Sequence, residues 1–239
     1  MSAPRRVELQ PGFLLHARAY RDSSLLLEVF SREQGRLGLV ARGGRGPRSR
    51  LRALLQPFRP LLLSWSQRGE LGSLHGAEAG GAPCALQGQA LFAGFYLNEL
   101  LLRLLQRQDP HPEVYALYET ALAGLQEGAL EAALRGFEKR LLEALGYGLL
   151  LDREAEHGQP LQAAGCYRYE LERGPVEVPP GSSGGLVFSG ASLLALHEGR
   201  LEEAAVLADA KRLMRAALAL YLGGRPLKTR EVLQAMGRQ

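Results

Sequence analysis

Residues 13–41 read FLLHARAYRDSSLLLEVFSREQGRLGLVA. Three apolar runs, FLLHARAY (13–20), SLLLEVF (24–30) and GRLGLVA (35–41), are separated by Arg21-Asp22-Ser23 and by a turn ending in Gln34-Gly35. Runs of this length between polar, glycine-bearing turns predict strands. Two more, PLLLSWS (60–66) and GELGSLH (69–75), flank Gln67-Arg68-Gly69. Five short strands in the first 75 or so residues predict a small β barrel or sandwich, the size of an OB-fold, a scaffold that binds oligonucleotides.

Between the third and fourth runs lies ARGGRGPRSRLRALLQPFRP (41–60). Eight arginines and no carboxylate fall between Glu33 and Glu70. Gly43-Gly44 and Gly46-Pro47 predict a loop, and SRLRALL predicts a turn of helix leading back to the barrel. The charge is uneven along the chain. Residues 1–75 carry 13 basic and 5 acidic groups, and residues 76–239 carry 16 and 20. That asymmetry implies two units and an anionic partner for the first. A composition of 26 Arg to 3 Lys reflects arginine-rich coding, which does not explain the missing acids.

Beyond EAGGAPCALQG (78–88) the period becomes helical. Helices are predicted near 88–108, with Leu91, Phe95, Asn98, Leu102 and Leu105 on one face, and near 113–126 and 129–145. The last places Leu130, Leu134, Phe137, Leu141 and Leu145 in one stripe. Residues 149–188 are irregular, with a hairpin or loop at YRYELERGPVEV. Helices follow near 192–197, 202–222 and 227–236. The expected architecture is α+β: a five-stranded OB-fold barrel over 1–78 and an all-α helical domain over 79–239 with an irregular insertion near 149–188.

Sites of known catalytic type are missing from the sequence. It contains no phosphate-cradling or dinucleotide glycine loop, no nucleophile elbow and no two-histidine metal helix. His16, His75, His111, His157 and His197 are isolated, and Cys84 and Cys166 have no neighbour at ligand spacing. These features argue against an enzyme. The cysteine usage suits a reducing cytoplasm. No signal peptide or membrane span is read, and no cofactor or metal is expected.

Four ordered blocks resemble the bacterial recombination mediator family RecO. The first is the 14–78 stretch, with Tyr20, Ser24, Gly35-Arg36, Ala41-Arg42-Gly43, Ser49 and Leu55-Gln56-Pro57-Phe58. The others are GFYLNELLLRLL (94–105), LRGFEKRLLEALGYG (134–148) and YLGGRPLKTREVL (221–233). The resemblance implies an OB-fold and a helical domain. It implies binding of single- and double-stranded DNA, annealing of complementary strands, and contact with the C-terminal tail of single-strand-binding protein. It also implies work with RecR, and in some members RecF, to load RecA on coated DNA. Many members carry a four-cysteine zinc site after LGYG. This chain has Cys166 alone there and resembles the metal-free branch.

Arginines on a glycine-bearing loop can follow a phosphate backbone and release its counterions without reading bases. Arg36, Arg42, Arg45, Arg48, Arg50 and Arg52 are the candidate DNA contacts, with Lys228 and Arg230 as a second patch or a solvated helix end. Trp65 is either a base-stacking platform or a core or interdomain residue, and its alternating strand favours the latter. By resemblance, Arg135, Leu142 and Leu145 are the candidates for the tail of single-strand-binding protein. The alternative is that the leucines are core and Arg135 pairs with Glu131 at i,i+4. A different class, an OB-fold RNA-binding protein of translation or ribosome assembly, would use the same basic loop.

Overall fold

The structure is a computed structural model, and it describes residues 5–46, 49–229 and 232. Five strands form the first part: β1 (Arg5–Tyr20), β2 (Ser24–Ser31), β3 (Gly35–Ala41), β4 (Pro60–Arg68) and β5 (Leu71–Ala79). They hydrogen-bond in the closed order β1-β2-β3-β5-β4, the five-stranded OB-fold expected from the sequence. β1 is twice the expected length because it serves two neighbours. Its residues 5–13 pair with β4 and its residues 12–20 pair with β2. The register shifts between Val7 and Gln10 and between Leu14 and His16. Shifts of this kind bend a strand around a small barrel. The ring closes where β3 runs parallel to β5, from Gly38 opposite Leu71 to Val40 opposite Ser73.

Leu14, Leu27, Val29, Leu37, Leu39, Leu61, Leu63, Trp65 and Leu74 fill the barrel. Trp65 is 1% exposed, so it belongs to the core. A short helix, α1 (Arg50–Leu54), joins β3 to β4. Leu51 and Leu54 on α1, with Leu55 after it, pack on the barrel cluster. The apolar half of the arginine segment is therefore scaffold, as its leucines predict.

Helix α2 (Gly88–Leu104) follows the barrel, and α3 (Pro112–Gln126) opens with its proline at the first turn, where a missing N–H costs nothing. The buried face of α2 differs from the predicted stripe. Ala93, Gly94, Leu97, Asn98, Leu100 and Leu101 are inside, whereas Phe95 is exposed. The helix is covered on two sides, by the barrel and by α3, so one amphipathic stripe does not describe it. Two glycines permit close approach. A Cβ on Gly94 would stand 2.8 Å from the Phe58 ring, and one on Gly35 (φ +65°) would stand 2.0 Å from the Asp109 carbonyl oxygen.

Asn98 joins these pieces. Its Nδ2 donates to the Leu15 carbonyl of β1 at 3.0 Å, and its Oδ1 accepts from the Tyr118 hydroxyl of α3 at 2.6 Å. Asn98 and Tyr118 are both buried, and the Tyr118 ring meets Phe13 of β1 edge to face at 5.0 Å.

The chain divides into two compact units, residues 1–128 with 227–239, and residues 129–226. The sequence reading places its boundary at 78. The first unit extends to 128 because α2 and α3 pack with the barrel.

The second unit holds α4 (Leu130–Ala144), α5 (Gly190–Glu198) and α6 (Ala204–Tyr221). It amends the all-α expectation in one respect. The irregular stretch contains β6 (Cys166–Glu170), β7 (Gly174–Glu177) and β8 (Val187–Ser189), in the order β7-β6-β8. The sequence leaves a hairpin or a loop open at 167–178, and β6 and β7 make it the hairpin. β8 is not legible there, since three residues carry too little pattern to read as a strand. Tyr167, Tyr169 and Phe188 of this sheet share a core with Leu193 and Leu196 of α5 and Leu213 and Met214 of α6.

Tyr118→Phe is expected to destabilise the protein by about 1–3 kcal/mol, because a buried amide oxygen loses its donor. Urea unfolding should show a lower midpoint at an unchanged slope.

Candidate nucleic-acid interface

The arginine segment is folded where it leaves β3. The Gly44 N–H donates to the Ala41 carbonyl and the Gly46 N–H to the Gly43 carbonyl, with Gly43 at φ +66°. The glycines thus build consecutive turns rather than slack chain. Arg45 is tied to the β1–β2 turn. Its backbone N–H donates to the Ser23 carbonyl at 3.1 Å. Its Nη1 donates to the carbonyls of Arg21 and Asp22 at 3.4 and 3.3 Å. Arg42 and Arg45 are exposed beside that turn, and Arg50 and Arg52 are exposed on α1. Arg48 lies outside the described residues.

Arg36 stands apart from this group. It is at the start of β3 and Arg42 follows its end, roughly 20 Å away at the rise of a strand. Arg36 is half-buried, and its Nη1 donates to the Leu102 carbonyl at the end of α2. Burial pulls its guanidinium below the ordinary value. Nearby Glu28 opposes that shift and Arg107 adds to it. Arg107 is itself paired with Glu28. The chain after α2 also runs against β3 here, with the Gln108 N–H bonded to the Arg36 carbonyl at 2.9 Å. This arrangement binds the far end of the barrel to α2.

At the C-terminal patch, the Lys228 N–H, the Thr229 N–H and the Thr229 hydroxyl all donate to the Glu99 carboxylate, at 2.8–2.9 Å. Burial works to raise the Glu99 pKa, but these donors and Arg103 hold it below the usual carboxylate value. The Lys228 residue is exposed, and its backbone N–H is committed to the Glu99 carboxylate. Arg230 lies outside the described residues.

The residues expected for tail binding do not form an exposed apolar pocket beside a free cation. Arg135 is 4% exposed and Leu142 is fully buried, and Leu145 is half-buried. The Arg135 Nη1 stands 3.0 Å from a carboxylate oxygen of buried Glu138, whereas Glu131 is 3.9 Å away and pairs with Lys211 of α6 at 2.8 Å. Sequence spacing points to Glu131, and the structure keeps that i,i+4 contact at 3.9 Å while adding a closer i,i+3 partner in Glu138. Removing one member of a buried pair strands the other charge. Arg135→Ala is therefore expected to cost about 3–5 kcal/mol of stability, read as a large drop in denaturant midpoint for the free protein.

One trio of potential ligands gathers in the second unit, where Glu154, Glu156 and His157 lie within 4.8 Å of one another. Each is engaged within the protein: His157 Nδ1 with Glu154 at 2.9 Å, and Glu156 with Arg173 at 3.2 Å. Cys166 is half-buried, with its Sγ 3.7 Å from the Ser182 carbonyl oxygen. Among the described residues no helix is long and apolar enough to cross a membrane.

Barrel, basic segment and helical continuation define an OB-fold protein with a second, mainly helical unit. A family model described as recombination protein O, N terminal, matches residues 6–81, and one described as recombination protein O, C terminal, matches residues 85–231. The chain is 54% identical over 235 residues to the DNA repair protein RecO of Alkalilimnicola ehrlichii, covering 98% of this chain and 93% of the relative. It is 49% identical to the protein of that name from Methylococcus capsulatus, covering 97% and 95%. For Nitrosococcus oceani the identity is 47%, covering 98% and 95%. The chain belongs to the RecO family of DNA repair proteins.

Proposed function

We propose that the protein binds single- and double-stranded DNA on the barrel and anneals complementary strands, without catalysing a covalent step. The observation that carries this reading is the group of exposed arginines, Arg42, Arg45, Arg50 and Arg52, in an acid-free segment on the OB-fold of a RecO-family chain. Two strands repel each other. A basic surface neutralises both, while phosphate contacts leave base edges free to pair. Arg48, in the same segment, is proposed to add charge to this site, and Arg230 to belong with Lys228 to a second, weaker patch. Lys228 and Arg36 are secondary, given the Glu99 carboxylate near one and the α2 carbonyl bonded to the other. Working with RecR, and in some settings RecF, the protein loads RecA on DNA coated by single-strand-binding protein, in the bacterial cytoplasm.

Replacing Arg42, Arg50 and Arg52 together by Ala should weaken oligonucleotide binding. It should also flatten the slope of log affinity against log salt by roughly two to three units, near 0.7–0.9 for each phosphate that is no longer neutralised. An unchanged slope would refute the assignment even if affinity fell. Matched DNA and RNA oligonucleotides in the same titration separate DNA repair from an RNA role.

The acidic tail of single-strand-binding protein is proposed to dock on the second unit at α4. Of the three residues that the sequence points to, Leu145 keeps exposed surface while Arg135 and Leu142 are buried, so the proposal rests on Leu145. Leu145→Asp should weaken binding of a tail peptide at least tenfold, through reduced apolar burial and repulsion of an acidic ligand. It should leave binding of naked DNA intact. Unchanged peptide affinity would remove Leu145 from the binding surface.

A further inference from the structure

The turn that Arg45 holds forms one wall of a cleft of about 490 Å³, lined in part by Tyr20, Arg21, Val40, Arg42, Leu71 and Ser73. That volume falls within the range of small-molecule sites, about 300–1,000 Å³. The cleft sits where β1 turns into β2, where β3 ends and where β5 begins. Its chemistry is mixed in a particular way. Tyr20 is half-buried at the end of β1, and the Arg21 guanidinium lies over its ring, 5.3 Å from the centroid. Val40 and exposed Leu71 supply apolar surface. Arg21 and Arg42 supply cations at the rim, and Asp22 is the acid that faces the same space.

Arg21 is held in an uncommon backbone conformation, φ +52°. A non-glycine residue is rarely found there unless its surroundings over-determine it. The surroundings here are the hydrogen bonds from Arg45 to the Arg21 and Asp22 carbonyls and to Ser23. The arginine segment thus fixes the cleft wall as well as presenting charge.

We propose that this cleft takes one unstacked nucleotide of a single strand, the base lying on the Tyr20 ring and the adjoining phosphate held by Arg21 and Arg42. The base takes the ring face that the Arg21 guanidinium covers, and the guanidinium moves from ring to phosphate, exchanging a cation–π contact for a charge-assisted hydrogen bond. Tyr20 ends β1, Arg21 begins the β1–β2 turn and Arg42 follows β3 in the arginine segment, and Arg45 is a positioning residue for that turn. A duplex keeps its bases stacked on one another and gains no stacking from the cleft. Single strands would thereby be held by stacking as well as by charge, without sequence preference.

This inference rests on the DNA-binding reading above, and the test separates the two. The full chain is titrated with a fluorescein-labelled oligothymidylate and, separately, a labelled duplex at fixed salt. Tyr20→Leu, which keeps apolar volume and removes the π face, should weaken single-strand binding roughly 5- to 50-fold and leave duplex binding unchanged. Tyr20→Phe should keep both affinities. Thermal melting establishes that each variant is folded. Should Tyr20→Leu fail to fold, Arg21→Ala in the same titrations should weaken single-strand binding more than duplex binding, and an equal effect on both would overturn the cleft. Unchanged single-strand affinity in folded Tyr20→Leu, or an equal fall for both DNA forms, would also overturn it. The double variant Arg50→Ala, Arg52→Ala should weaken both forms together. If it weakens both while the Tyr20 variants do nothing, DNA binding by the arginines stands and the cleft proposal falls. If it changes neither while Tyr20→Leu loses single strands, the cleft stands and those arginines do not touch DNA.

Discussion

A single buried amide organises the first unit. Asn98 of α2 donates to a carbonyl of β1 and accepts from the Tyr118 hydroxyl of α3, so barrel, second helix and third helix share one point. A buried amide deprived of a partner pays its full desolvation cost. An arrangement in which α2 slides or rotates therefore leaves at least one of these groups unsatisfied. The apolar packing around it is non-directional, while this hydrogen-bonded chain fixes the register of α2. With α2 in register, Gly94 meets Phe58, the end of the helix meets Arg36, and Glu99 receives the chain as it returns at Lys228. Through Phe58 and β3, the two anchorages of the arginine segment, the same packing sets where the basic surface is presented.

The arginines do unequal work. Arg36 is half-buried and bonded to a helix carbonyl, so its charge is structural, whereas Arg45 ties the carbonyls of a turn and still stands exposed among the basic group. Guanidinium suits both roles, since its planar fork satisfies several carbonyls while it stays charged. The arginines of α1 and Arg42 keep their charge on the surface. A helix of five residues, with leucines turned to the barrel and arginines turned away, separates the two functions within a few residues. The second unit shows the same economy in α4, where Arg135 and Glu138 pair inside and Lys139 bonds the His197 carbonyl. Charged residues that read as a polar face are used there as internal ties.

How much of this can be read in advance follows from the range of each interaction. Strand runs, turn residues, helix periods and the acid-free arginine stretch are local patterns, and each is legible in the sequence. The five-stranded barrel, the helices that follow and the basic segment all come from them, and Trp65 is favoured for a core or interdomain position because of its place in an alternating strand. The ordered blocks supply the family. The buried face of α2 is not legible, because a helix covered on two sides has no single stripe. The third strand of the small sheet escapes as well, because three residues show no period.

The sequence by itself determined the barrel strands and the helices α2 to α6, where positive charge accumulates and which family the chain joins, because these depend on residue type and near-neighbour spacing. Only the tertiary structure decided which arginines remain available. How far a guanidinium is free depends on groups brought to it by the fold: the Leu102 carbonyl takes half-buried Arg36, the Arg21 turn ties Arg45 while leaving it exposed, and burial sets Arg135 between Glu131 and Glu138. The cleft beside Tyr20 belongs to the same category. Its walls come from the ends of three strands and a turn, and they meet only when β3 is laid parallel to β5.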